Sequence, residues 1–314
     1  MEYTIDGPPS LREHRPGMTE PAVKAAENPG IDNGVPRGAP IREVSMLKRL
    51  LLPCLAVVAA LAMGGATAEA KSLDDIIKAG VIRVGINPNF PPMSSRGSDG
   101  NWEGFDIDVG NKIAEALGVK AEFVPTETPQ RVPFLVADKI DISLGALTRT
   151  AERAKLIEFT VPLHTEVMAV LTTDKVTVGD WKELNDAKYT LADMRGNWTV
   201  DWLKQNLPNA KVSLTDTIAD TVRLVGQGRA DAIVENIDFF MAQTKNYPDV
   251  KWKVLPKTID VSYDSIGVGR GNYPLRDALN IVLYSLHSGG FVNDTWQKWY
   301  GAPMLVKVEA SPYF

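Results

Sequence analysis

Short β-branched strands alternate with amphipathic helical patterns along most of this chain, and this alternation restricts the fold more than any other feature. The segment 81–86 is β-branched, and after a proline-rich stretch the segment 106–117 carries apolar residues at helical spacing. Strands separated by helices of about ten to fifteen residues are typical of βαβ units and largely parallel sheets. Because the same alternation resumes after residue 165, the sequence predicts two doubly wound α/β lobes.

The individual elements follow from apolar runs, β-branched residues and turn signals. The predicted strands occupy 81–86, 121–124, 140–144, 168–172, 189–192, 212–214, 232–234, 252–255 and 265–269. The predicted helices occupy 73–79, 106–117, 132–138, 151–155, 199–207, 218–226, 237–246, 275–288 and 291–300. Ser72 is expected to cap the first helix and Asp106 the second. In doubly wound folds, ligands bind at the carboxyl ends of the strands, beside helix N-termini.

Residues 46–70 have the pattern of a secretory signal peptide. Lys48 and Arg49 provide a basic start, an apolar run covers 50–63, and Ala-x-Ala sequences follow within 66–70. The apolar run is only about 14 residues long, whereas a membrane-spanning helix needs about 20. We therefore expect this segment to direct export and to be cleaved.

Residues 1–45 precede the signal, are rich in proline and show no apolar period, so they cannot bury enough surface to fold. We expect Met46 to be the true start and 1–45 to be a non-native upstream extension or a disordered segment. Cys54 is the single cysteine and follows Pro53 inside the apolar run, which disfavours a lipid anchor. Cleavage near Ala70 leaves no cysteine, which suits an oxidising compartment.

The charge balance and the motif inventory exclude several classes of protein. Lys and Arg number 34 against 39 Asp and Glu, and there is no basic tract, so nucleic acid is not an expected partner. The three histidines, His14, His164 and His287, are too scattered to suggest a metal site. The P-loop, HExxH and GxSxG motifs are all missing. We therefore expect no metal, no cofactor and no catalytic residue.

Four sequence motifs occur in one order along the chain. They are EGFDIDVGNKIAEALG at 103–118, RVPFLVADKIDISLGALTRTAERAKLIEFTVP at 131–162, GRADAIVEN at 228–236 and WQKWYG at 296–301. In this order and spacing they resemble the extracellular solute-binding proteins, family 3, which serve ABC transporters of polar amino acids. The resemblance covers nearly all of 72–305.

The resemblance implies a type II periplasmic binding protein fold, in which two α/β lobes are joined by a two-strand hinge. Residues 71–165 and 262–314 would form lobe 1, and 166–261 would form lobe 2, with crossings near Glu166 and Val261. The implied function is a monomeric, non-enzymatic periplasmic protein that closes on a small amino acid or related organic anion. It would deliver this solute to an inner-membrane ABC permease.

The resemblance also carries ligand-binding positions onto this chain. Phe90 matches an aromatic that stacks on the ligand. Gly145, Ala146 and Thr148 match a loop that meets the α-carboxylate, and Arg153 matches the arginine that grips it. The alternatives are structural: in them, Phe90 fills the core and Arg153 is an exposed helix arginine.

The remaining positions match the family's ligand-binding residues less closely. Arg131, with Thr128 beside it, falls where binders of acidic amino acids have a second arginine, although arginine is common there without touching ligand. Asn197 and Trp198 lie in a loop that usually reads Gly-Thr/Ser-Thr. The alternative for Trp198 is that it only packs on its own helix. Asn236 replaces the acidic residue that holds the ligand's α-amino group.

These departures lead to expectations about the solute. Two arginines in one cleft favour a ligand with two anionic or strongly accepting ends. Asn236 favours a neutral group, or no ammonium, unless neighbouring Glu235 turns into the cleft. The alternative function is a cyclohexadienyl-dehydratase-like enzyme on the same scaffold. It would need a carboxylic acid as proton donor, for which Glu235 and Glu127 are the nearby choices.

Overall fold

The computed structural model describes residues 71–312. The predicted upstream extension and signal peptide, 1–45 and 46–70, lie outside the described residues. The α-helices are α1 (Leu73–Ala79), α2 (Phe105–Leu117), α3 (Arg131–Val136), α4 (Ala151–Ala154), α5 (Thr199–Asn206), α6 (Ile218–Gly226), α7 (Ile237–Gln243), α8 (Tyr273–Ser288) and α9 (Phe291–Tyr300). The strands are β1 (Val81–Ile86), β2 (Ser95–Arg96), β3 (Trp102–Glu103), β4 (Lys120–Pro125), β5 (Ile142–Ser143), β6 (Ile157–Thr173), β7 (Thr190–Met194), β8 (Lys211–Thr215), β9 (Ala232–Asn236), β10 (Trp252–Val254) and β11 (Asp260–Gly269).

Two parallel groups of strands lie at opposite ends of one sheet. The order is β4–β1–β5–β11–β6–β9–β7–β8, with β10 beside β6. Strand β1 pairs in parallel with β4 and β5, and β7 pairs in parallel with β8 and β9. The helices that connect these strands make each group a doubly wound α/β lobe, as the alternation predicted.

Strands β6 and β11 cross between the two groups. Strand β6 is 17 residues long and pairs with β11 from Ile157↔Gly269 to Met168↔Asp260. Its carboxyl-terminal half also pairs with β9 and β10. Because these two antiparallel strands belong to both parts of the sheet, they form the two-strand hinge of a type II binding-protein fold.

Local sequence explains how the helices begin and end. Ser72 caps α1 by accepting the Asp75 N–H, and Gly80 ends that helix in the left-handed conformation at φ 68°. Thr150, Thr217 and Asn236 cap α4, α6 and α7 through their side chains. The prediction that Asp106 caps α2 is wrong, because the cap position is Gly104.

The buried apolar side chains form three clusters. The largest surrounds β1, α2, α8 and α9 and contains Trp296, Phe105 and Phe239, all fully buried. A second lies between β7, β9 and α5, and a third contains Leu135 of α3 and Ile157 of β6. Each fully buried large side chain contributes about 1.5–3 kcal/mol. Within 71–312, no helix has both the length and the apolarity needed to cross a bilayer.

Candidate functional site

A small cavity of about 20 Å³ lies where the loops at the carboxyl ends of the parallel strands from the two groups meet. Such positions are where doubly wound folds bind ligands. The cavity is lined by Phe90, Thr128, Arg131, Gly145, Ala146, Thr148, Glu166, Met194, Asn197 and Glu235. Seven of these ten residues are among the positions that the sequence predicted. Glu166, Met194 and Glu235 are additional.

The loop after β5 forms one wall of the cavity. Gly145 and Ala146 both have positive φ angles, 80° and 53°, so this short loop turns sharply. Arg131 supports this loop, because its Nη1 donates to the carbonyl oxygens of Gly145 at 2.5 Å and Ala146 at 2.8 Å. Its Nε donates to the Thr128 carbonyl at 3.1 Å. Arg131 is 4 % exposed, and its Nη2 has no hydrogen-bond partner among the described residues.

Arg131 remains a cation at neutral pH. Burial, with a contribution from nearby Arg153, lowers its pKa to about 9, and Asp264, Glu166 and Asp106 oppose this shift. A buried guanidinium with a free N–H in a cavity is suited to an anionic or accepting group.

Asp106 supports the same loop from the start of α2. Its Oδ2 accepts the Gly145 N–H at 3.0 Å, and the side chain is fully buried. Burial raises its pKa to about 7, while the Gly145 hydrogen bond and the charge of Arg131 favour the ionised form. Asp106 therefore positions a wall of the cavity instead of capping the helix.

Arg153 lies beside the cavity but does not line it. Its Nη1 donates to the Thr148 carbonyl at 2.7 Å, and its Nη2 reaches the Gly196 carbonyl at 3.3 Å. The first partner belongs to predicted lobe 1 and the second to predicted lobe 2. Burial is the main cause of the lowered pKa of Arg153. Arg153 thus bridges the loop at Thr148 and the loop at Gly196.

Asn197 and Trp198 take different positions although they are adjacent. Asn197 lines the cavity, and its Nδ2 donates to Glu235 Oε2 at 3.4 Å. Trp198 is the cap residue of α5 and lines a separate surface groove next to Thr148 and Tyr263. The structure therefore does not bring Trp198 to the cavity with the other predicted residues.

Asn236 is fully buried and does not line the cavity. Its side-chain oxygen accepts the Asp238 N–H at 2.9 Å and caps α7, while its Nδ2 donates to Glu166 Oε1 at 3.1 Å. Glu235 lines the cavity instead. The expectation of a neutral ligand group rested on Asn236 facing the ligand, and this placement removes its basis.

The two cavity glutamates are in an environment that favours their neutral forms. Burial raises the pKa of Glu235 to about 8, against the Asn236 N–H that favours its charge. Burial also raises the pKa of Glu166 well above its ordinary value, helped by neighbouring Asp264 and Glu235. The sequence signal for Glu166 is a glutamate at the start of an apolar strand segment, which the sequence analysis used only to mark the hinge.

Although the histidines are scattered along the sequence, His164 lies close to two carboxyl groups in the structure. His164, Glu166 and Asp264 come together, with one ligand atom from each lying within 4.8 Å of the others. All three side chains are buried. The expectation that no histidine contributes to a metal site was based on sequence spacing alone.

The fold and the cavity define a bilobed binding protein, and the comparisons place it in a family. Residues 82–302 match the model of the bacterial extracellular solute-binding proteins, family 3. This match covers more than two thirds of the chain, and the protein belongs to that family.

Individual relatives are more distant. The L-cystine-binding protein TcyJ of Escherichia coli (strain K12) is 26% identical over 231 residues, which cover 73% of this chain and 86% of that protein. A cyclohexadienyl dehydratase of Pseudomonas aeruginosa is 24% identical over 204 residues, covering 64% and 76%. The crystal structure of the cysteine-binding protein from Campylobacter jejuni has a TM-score of 0.68 and 27% identity, covering 76% of this chain and 96% of that one.

Proposed function

We propose that this protein is the periplasmic solute-binding component of an ABC importer and that it closes on a small zwitterionic amino acid. Family membership supports the role, and relatives named for cystine and cysteine binding support an amino-acid solute. The observation that carries the proposal is the cavity, because it presents a guanidinium and two carboxyl groups to the same small volume. Its expected partner is an inner-membrane permease.

The cavity walls suggest how an amino acid is oriented. The free Nη2 of Arg131 and the loop at Ala146 and Thr148 suit the α-carboxylate, because a guanidinium and nearby hydroxyl or backbone donors satisfy its oxygens. Glu235 suits the ammonium, and Phe90 contributes an apolar surface. This arrangement favours a zwitterion over the dicarboxylate that two arginines alone would favour.

Closure is supported by contacts across the cleft. Gln243 Nε2 donates to the Pro91 carbonyl at 2.7 Å, and the rings of Phe90 and Phe239 have centroids 5.3 Å apart. Pro91 and Phe90 belong to predicted lobe 1, and the other two residues to predicted lobe 2. The solute in such a closed form is largely removed from water, so each buried charge needs a partner.

A thermal-unfolding screen tests the proposal directly. The exported chain would be mixed with cystine, cysteine, arginine, glutamine, glutamate and a set of dicarboxylates without amino groups. A solute present at about 100 times its dissociation constant stabilises the native state by about 2.7 kcal/mol, which corresponds to a rise in Tm of about 5–10 °C. We expect at least one α-amino acid to do this. Stabilisation only by dicarboxylates would contradict the role given to Glu235.

A pair of arginine variants tests the closed form. Arg153→Ala removes the bridge to Gly196, so we expect calorimetry to show solute affinity reduced by about tenfold, equivalent to about 1.4 kcal/mol. Arg149→Ala is the matched control, since Arg149 is exposed and does not line the cavity. Equal affinities in the two variants would contradict the bridging role.

A second candidate function is supported by Glu235 and by the cyclohexadienyl dehydratase relative. A carboxyl group that stays protonated near neutral pH can donate its proton to a leaving hydroxyl, which departs as water. In a cyclohexadienyl substrate, loss of the ring carboxylate as carbon dioxide supplies the electron pair that makes the ring aromatic. Mixing the protein with prephenate and following ultraviolet absorbance distinguishes the two functions. An aromatic product, abolished in Glu235→Gln, would favour the enzyme.

A further inference from the structure

Several buried polar atoms in the hinge region have no partner among residues 71–312. Both carboxylate oxygens of Asp264 and the Nδ1 of His164 are in this state, and so are Asp106 Oδ1 and the Tyr300 hydroxyl. Asp264 and His164 are each about 1 % exposed. Buried polar groups in native proteins are nearly always satisfied by protein, water or an ion. Ordered water or a bound ion would supply the missing hydrogen-bond partners of these atoms.

The hinge strands give the side chains of His164, Glu166 and Asp264 a common direction. His164 and Glu166 are two residues apart on β6, so their side chains lie on the same face of the strand. Asp264 on β11 is paired directly with His164, which places its side chain on that face too. The intervening Thr165 faces the other way, and its hydroxyl donates to the Val306 carbonyl. The convergence of the three groups thus follows from strand register.

The charges of Arg131 and Arg153 act on this cluster, but neither arginine forms a direct ion pair with its carboxyl groups. No lysine or arginine within the described part of the chain forms an ion pair with Glu166 or Asp264. Arg131 is close enough to influence both, but three of its hydrogen bonds go to backbone carbonyls. Water can satisfy the unpaired oxygens of Asp264, and a bound cation would do so as well while favouring the ionised form of both carboxyl groups.

We infer that His164, Glu166 and Asp264 form a binding site for a divalent transition-metal ion at the hinge. One imidazole nitrogen with two carboxylates is a donor set that suits zinc and similar metals, while calcium and magnesium prefer oxygen ligands alone. Bonds of about 2.0–2.2 Å in a tetrahedral site separate the ligand atoms by about 3.4 Å. The present separations lie within 4.8 Å, so metal binding requires the ligand atoms to approach one another by up to about 1.4 Å.

The site has a route to solvent and an open position. Glu166 also lines the solute cavity, so an ion can enter through the open cleft and keep one coordination position facing the cavity. Three protein ligands with a fourth open position is an arrangement that metals such as zinc adopt with water or a small ligand. This inference does not depend on the identity of the solute.

The test measures metal binding without any amino acid. The tag-free exported chain would be treated with a chelator, dialysed, and titrated with zinc chloride by calorimetry, with calcium and magnesium chloride in parallel. We expect one zinc ion per chain and no stoichiometric binding of calcium or magnesium. Failure to bind zinc would overturn the inference and leave the solute-binding proposal intact, because the solute screen uses the same metal-free protein.

Variants locate the ion. His164→Gln and Asp264→Asn should each weaken zinc binding by at least about a hundredfold. His287→Gln is the control, since His287 is the other histidine of the described region and its Nε2 lies 3.1 Å from the Pro162 carbonyl. Equal weakening in the control, or unchanged binding in both test variants, would overturn the assignment.

A measurement on the unmodified chain covers the case in which a variant does not fold. Cobalt(II) can replace zinc, and its visible spectrum reports coordination number and ligand type. We expect a spectrum of low coordination number with nitrogen and oxygen ligands and no thiolate charge-transfer band. A spectrum of fully hydrated, six-coordinate cobalt would overturn the inference.

Discussion

Gly196 offers a test of hinge closure that leaves every polar group of the cavity in place. It has φ 76° and lies in the loop between β7 and α5, opposite Pro129. A Cβ added at Gly196 would lie 2.9 Å from Pro129 Cα and 3.1 Å from its Cβ. The predicted boundaries put Pro129 in lobe 1 and Gly196 in lobe 2, so this contact exists only when the cleft is closed.

The magnitude of the effect of Gly196→Ala follows from this contact. Ordinary Cβ contacts begin near 3.4 Å, so the two backbones must separate by about 0.5 Å. Overpacking of this kind costs about 1–3 kcal/mol. Because only the closed form carries this cost, solute affinity should fall by about 5- to 150-fold. The left-handed backbone adds about 1–2 kcal/mol of strain to both forms and so does not change affinity.

The control is Gly228→Ala. Gly228 has a similar φ of 68°, but its added Cβ would meet only the Lys175 Nζ at 3.8 Å. We therefore expect both variants to lose similar stability without solute, measured by chemical denaturation, and only Gly196→Ala to lose affinity in calorimetry. If Gly196→Ala bound solute as tightly as Gly228→Ala while unfolding more easily, Pro129 and Gly196 would belong to one rigid unit. That result would refute the predicted lobe boundaries.

Three further predictions concern charge and backbone. Because the pKa of Glu235 is raised to about 8, binding of a zwitterion at pH 7 should release a proton from it. In metal-free buffer, Glu235→Gln should abolish this proton release, measured by calorimetry in two buffers. The control Glu127→Gln should retain it. Without solute, the free energy of unfolding should fall as pH rises from 7 to 8.5, by up to about 1.4 kcal/mol per pH unit for each acid that is protonated only in the folded state. The raised pKa values of Glu235 and Glu166 set this sign, and the buried histidines, whose pKa values are lowered, are neutral in both states in that range. Gly104→Ala should destabilise the protein by several kcal/mol in denaturant titrations, since its Cβ would lie 2.2 Å from the Met93 carbonyl oxygen at φ 130°.

The sequence predicted most of the helices and parallel strands because their apolar periods are local. The helix at 218–226 and the strand at 81–86 were predicted with the observed bounds. The long hinge strand was underestimated: only 168–172 of β6 was predicted, against Ile157–Thr173. Pro162 and the polar run that follows it break the apolar pattern, and the pairing with β11 that keeps this segment extended is a long-range contact.

The sequence predicted those residues of the candidate site whose type has a single main chemical role. The loop at Gly145 and Thr148 and the cation at Arg131 do line the cavity, and their role in binding stays a prediction. The relation of Glu235 to Asn236 was not predictable from strand alternation. Asn236 ends β9 and caps α7, so its side chain serves the helix and Glu235 is left to face the cavity. A residue that can either cap a helix or bind a ligand is assigned only by three-dimensional structure.

Glu166 connects the two proposals physically. It lines the solute cavity, accepts a hydrogen bond from Asn236, and belongs to the hinge cluster with His164 and Asp264. A metal ion would hold Glu166 ionised and fixed, and would place a positive charge beside the position proposed for the ammonium group. Since linkage is reciprocal, any change that the metal makes in solute affinity must equal the change that the solute makes in metal affinity. A zwitterion that uses its carboxylate at the metal would give positive coupling. One that keeps its ammonium near Glu235, beside the metal, would give negative coupling, so the sign of the measured coupling reports the orientation of the solute.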